Sequence, residues 1–153
     1  MITAPTMPQL LATLRDELGS TVMPHLDDAP TKVAVEMMQA VLNQLIERAE
    51  NEFAWMFGEM EAIEAAAGEL GPSLGSAAVD AALAEFQANR ADTMSLSAVT
   101  ADYQRASEVL SCLGEAAYAS GDAAAIDAVQ GLIDARLDTE NAAIGEFIAV
   151  GRD

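Results

Sequence analysis

The chain is poor in the residues that usually announce chemistry. It has one cysteine, Cys112, one histidine, His25, and one lysine, Lys32. A lone cysteine excludes an intrachain disulfide and a zinc site built on cysteine pairs. A lone histidine excludes the paired Glu-x-x-His motifs of di-iron helical bundles. No metal and no cofactor is therefore expected. Aromatic residues make up only 5% of the chain. Period-two alternation of Val, Thr and Tyr is missing, so nothing supports a sheet. No apolar run reaches the roughly 18 residues of a membrane span. The start, "MITAPTMPQL", lacks a basic segment followed by an apolar one, so no signal peptide is expected and the expected location is cytoplasmic.

Positive charge is also scarce. Seven basic residues stand against 25 acidic ones, a formal charge of −18. Nucleic acids and anionic membranes both require a basic patch, so neither is an expected partner. A protein partner with a basic surface would suit this charge.

What is present is helical. Hydrophobic residues are 52% of 153, enough for a real core, and Ala, Leu, Glu, Met and Gln dominate. A first helix is expected over about 8–22, with Leu11, Leu14, Leu18 and Val22 in line, after a disordered tail at 1–6. Pro24 stops it, and Thr31 reads as the N-cap of a second helix over about 32–67. That helix carries an apolar line at Met38, Leu42, Leu45, Ala49, Phe53, Met56, Met60, Ile63 and Ala67. The extra four-residue step at Ala49–Phe53 is a stutter, and a bend is expected there or at Gly58. "GELGPSLGS" (68–76) reads as a turn, since its glycines fit no phosphate-binding spacing.

A third helix follows over about 77–90, capped by Ser76, with Leu83 and Phe86 inward. The fourth, about 95–119, has the most regular line: Leu96, Val99, Tyr103, Ala106, Leu110, Leu113 and Ala117. The fifth is capped by Asp122 and runs over about 123–149, with Ile126, Val129, Ile133, Leu137, Ile144 and Ile148 inward. The fold class is therefore all-α. It is a single-domain antiparallel bundle of four to five helices spanning 1–153, with one long second helix.

Site candidates are few. Glu52 and Glu59 share one flank of the second helix, but without histidine partners they read as solvated edges of its apolar stripe. His25 lies beside Asp27 and Asp28 in a loop without a nearby nucleophile and reads as a surface histidine. Cys112 sits mid-helix, away from any activating base, and reads as inert. Glu140 and Asn141 interrupt the apolar line of the fifth helix. With Asn43, Gln44 and Glu47 they could form a polar core layer that fixes register or, alternatively, lines a methionine-walled pocket between helices, which would make the protein a binder of an acyl or other apolar molecule, or an enzyme.

"NEFAWMFGEMEAIEAAAG" (51–68) spreads its apolar residues over an arc of about 200°, more than one neighbouring helix covers. Trp55 lies on its edge among Arg48, Ala62 and Ala66. These four residues are the expected centre of a homodimer interface.

"LLATLRDELGSTVMPHLDD" (10–28), with "TKVAVEMMQAVLNQLIERAENE" (31–52), resembles a family of small helical proteins with no assigned activity. Members are typically encoded beside aminoglycoside-phosphotransferase-like kinases and acyl-CoA dehydrogenases. The resemblance implies an accessory role near acyl-CoA metabolism and no catalytic residues. The expected function is that of a non-catalytic interaction protein.

Overall fold

A computed structural model describes residues 4–144. The start of the expected tail, residues 1–3, and the continuation of the fifth helix with Ile148 lie outside the described residues. The protein is all-α: five α-helices and no strand among the described residues. They are α1 (Met7–Glu17), α2 (Ala29–Leu74), α3 (Ala77–Ala88), α4 (Leu96–Ser120) and α5 (Ala123–Ile144).

Each boundary has a local cause. The Gln9 side chain accepts from the Thr6 backbone N–H at 2.8 Å and fixes the start of α1. The first helix does not continue to Val22 in α form. It widens to a π-helix over Leu18–Val22 and tightens to a 3-10 turn over Met23–His25. At this transition the Gln39 side chain donates to the Arg15 carbonyl at 3.2 Å. Gly19 makes the approach possible, because a Cβ there would stand 2.7 Å from Gln39 Nε2.

The cap of α2 is Asp28, not Thr31. Its carboxylate accepts from both the backbone N–H and the hydroxyl of Thr31. The hydroxyl bond is the larger cause, and the backbone bond the second, of a carboxyl held below its ordinary range. At its other end α2 passes through the expected turn and keeps Pro72 inside its last stretch. The residue before Pro72 is Gly71, whose missing Cβ removes part of the usual pre-proline penalty. Leu70 and Leu74 gain burial against the core by staying helical. Gly75, at φ +59°, then ends the helix.

Ser76 caps α3 and Ser95 caps α4, each accepting from the backbone N–H three residues on. Asp122 Oδ1 accepts from Ala124 N at 3.0 Å and starts α5.

The chain divides into two compact units. The central unit is Phe53–Thr139, and the terminal unit is Met1–Glu52 with Glu140–Asp153. The central unit packs α3, α4 and its parts of α2 and α5 around one core. Met60, Ile63, Val79, Phe86, Val109, Leu113 and Val129 are completely buried there. Small residues close the seams: Ala106, Ala117 and Ala125 are also fully buried, and a Cβ at Gly114 would rest 3.7 Å from Val129.

The terminal unit holds α1, the turns after it, the start of α2 and the end of α5. Among its described residues only Val35 and Ala143 are buried apolar side chains. The expected core line fails there: Met38 and Leu45 are exposed. In the central unit, Phe53, Leu96, Ile133 and Leu137 are likewise exposed rather than inward. Periodicity marks which residues share a face, but only a neighbouring element can bury that face.

Candidate functional site

Two features of the described residues go beyond packing: a polar network in the central unit and an uncovered apolar face in the terminal unit.

The network centres on Glu59. The residue lies one position before fully buried Met60 on α2, so its side chain emerges at the rim of the core. The Tyr103 hydroxyl, from α4, donates to Glu59 Oε2 at 2.6 Å. Arg136, from α5, donates through Nε to Glu59 Oε1. Its Nη2 donates to Ser107 Oγ at 2.8 Å, and Ser107 in turn donates to the Tyr103 carbonyl at 2.9 Å. The guanidinium carbon stands 5.3 Å from the centre of the Tyr103 ring. Burial, and then the Glu59 carboxylate, push the Tyr103 hydroxyl up to about 12, so the phenol is a donor at neutral pH. Three helices are thereby joined by charge-assisted bonds. Among the described residues no buried side-chain polar atom lacks a partner. A phenol this reluctant to ionise is poorly suited to act as a base near neutrality.

Two smaller clusters hold the α3–α4 side of the same unit. Buried Asp102 accepts from the Ala91 backbone N–H at 3.0 Å and from Arg105 at 2.7 Å, tying the connection before α4 to that helix. Glu64 on α2 accepts from Gln87 at 2.8 Å and from Arg90 at 3.1 Å, joining α2 to α3.

The candidate residues read from sequence fall elsewhere. Glu140 and Asn141 are exposed, as are Asn43 and Glu47, so these four do not form a buried layer. Asn43 accepts from Arg15 at 2.9 Å, Glu47 bonds Asn51 one turn on, and Gln44 donates to the Ile144 carbonyl at 2.8 Å. The polar positions of α2 thus meet α1 and the backbone of α5, because the α5 side chains at 140 and 141 turn to solvent.

Trp55 is half-buried rather than an exposed edge. Ala66 packs against the core, while Ala62 and Arg48 are exposed. Asp28 is occupied in capping α2, and His25 Nδ1 lies 2.8 Å from the Thr21 carbonyl. Cys112 is half-buried, and burial, followed by Glu108 and Glu115, pushes its thiol up, away from thiolate chemistry. Among the described residues no three His, Cys, Asp or Glu side chains are grouped to hold a metal ion, and no helix is long and apolar enough to cross a membrane. Glu59, expected at a solvated edge, is instead the hub of the network. Tyr103 on the α4 line was the one signal of it, since a phenol on a core line needs a partner.

The apolar face is the second feature. On α2 the exposed line is Met38, Val41 and Leu45, at 54%, 53% and 43% exposure. On α1, Met7, Leu10 and Leu14 repeat the same three-then-four spacing and are also exposed. Ile144, at the end of α5, is exposed as well. Both lines have the heptad spacing of helix-packing faces. Compared with known proteins, the chain matches no family model, no curated sequence and no solved structure at a significant level.

Proposed function

We propose that this is a non-catalytic accessory protein that works by binding another protein through the terminal unit. The carrying observation is the exposed heptad line Met38–Val41–Leu45 on α2. Large apolar side chains grouped at helix-packing spacing are costly in water and are retained where a partner covers them. The central unit supplies the rigidity: a close-packed core and a satisfied polar network that joins α2, α4 and α5. The resemblance of residues 10–52 to helical proteins encoded beside acyl-CoA dehydrogenases and kinases makes such enzymes the first partners to test. Self-association through Trp55 is the weaker reading, because Trp55 is half-buried.

The test compares wild type with the double variant Met38→Glu, Leu45→Glu as bait in extracts of the native host. Both residues are exposed, so folding and melting temperature should be unchanged. Specific proteins should be held by the wild type and released by the variant. An identical set held by both would refute a role for this face.

A further inference from the structure

The uncovered face of the terminal unit also carries information about what covers it. This step rests on the docking role proposed above. We infer that the occupant is an amphipathic helix of another protein whose apolar stripe is flanked by Lys or Arg. Three observations carry this. The uncovered side chains are spaced three and four apart on α1 and on α2, and a helix is the element whose side chains interlock with that spacing. Two of them, Met7 and Met38, are exposed methionines, as is Met37 beside the line, and their flexible thioethers mould to a helix face. The charge of the unit is predominantly negative. Glu17 follows Leu14 by one turn, Glu52 follows Leu45 by one heptad, and Glu140 precedes Ile144 by one turn. Arg48 is the cation among them. Across the described residues of the terminal unit, nine carboxylates stand against three cations, Arg15, Lys32 and Arg48. Arg15 is already paired with Asp16. A second copy of the chain would bring the same acidic rim against this one, whereas a basic-flanked helix meets it with opposite charge.

The experiment titrates the full chain with a synthetic Leu/Lys peptide of roughly 18 residues, five helical turns, with leucines at helical spacing. Two controls have the same length: a Leu/Glu peptide, and the Leu/Lys composition scrambled to destroy the stripe. Calorimetry should give a dissociation constant at least about tenfold lower for the Leu/Lys helix than for either control. The variant Met38→Glu, Leu45→Glu separates docking from simple attraction. It adds two negative charges, so binding driven by charge alone would tighten. Docking on the apolar face requires binding to weaken, by about tenfold or more. Tighter or unchanged binding overturns the inference. So does sedimentation showing that the wild type fills this face with a second copy and the variant does not. In that case, or if the peptide fails while host proteins are still lost by the variant, the docking role survives and only the partner class falls. Failure of both the peptide and the host experiment removes both.

Discussion

Replacing Arg136 with methionine should show how strongly the central unit depends on its polar network. The Glu59 side chain is 12% exposed and that of Arg136 24%, so the pair lies at the margin of the core. Arg136→Met leaves the Glu59 carboxylate with the Tyr103 hydroxyl as its remaining side-chain donor. Stranding one partner of a fully buried pair costs about 3–5 kcal/mol. Here water can reach part of Glu59, which lowers the expected cost to about 2–3 kcal/mol. Methionine keeps much of the aliphatic stem and loses the guanidinium that stands over the Tyr103 ring, so most of this loss is electrostatic. The double variant Glu59→Leu, Arg136→Met removes both charges and should recover at least about 1 kcal/mol over the single variant. Urea unfolding followed by Trp55 emission is the assay, because the only tryptophan lies in this unit. A single variant within about 0.5 kcal/mol of wild type would refute the reasoning, as would strictly additive substitutions.

Tyr103 gives a pH signature. Its hydroxyl is pushed up to about 12 from 10.0, so the folded state favours the neutral phenol. That contribution to stability should be complete below pH 10 and be lost as pH rises toward 12, and Tyr103→Phe should abolish this alkaline phase in a denaturation series. Phe86→Ala, at a completely buried site, should cost about 3–5 kcal/mol by thermal or urea unfolding, with less than about 2 kcal/mol counting against tight packing at that point. Asp102→Ala frees the Ala91 N–H and Arg105 and should destabilise by about 1–3 kcal/mol, with faster amide exchange at Ala91; unchanged exchange would remove its clamping role. Asn141→Leu, at an exposed position, should change stability by less than about 0.5 kcal/mol, and a larger loss would point to a network around it.

The amino-acid sequence by itself determined the helical class and, to within a residue or two, the ends of α3 and α4 and the start of α5. Ser76, Ser95, Gly121 and Asp122 act as punctuation because capping is local: a side chain or a glycine satisfies or ends the turn beside it. The α4 line from Val99 to Ala117 is inward as its spacing implies, with Tyr103 half-buried at the network. Local pattern erred where long-range packing outweighed it. α2 runs through Pro72, and by staying helical Leu70 and Leu74 pack half-buried against the core. The two candidate features were decided chiefly by the tertiary structure, with Tyr103 on the α4 line as the one signal of the network in the sequence. Glu59 and Arg136 are 77 residues apart, and nothing in the spacing of either helix selects the other. Met38 and Leu45 have the same heptad signature as Met60 and Ile63, yet the first pair is exposed and the second fully buried. Periodicity encodes a face, whereas burial requires another surface to meet it. In the central unit the chain supplies that surface from α3, α4 and α5, and in the terminal unit the Met38–Leu45 face is left open.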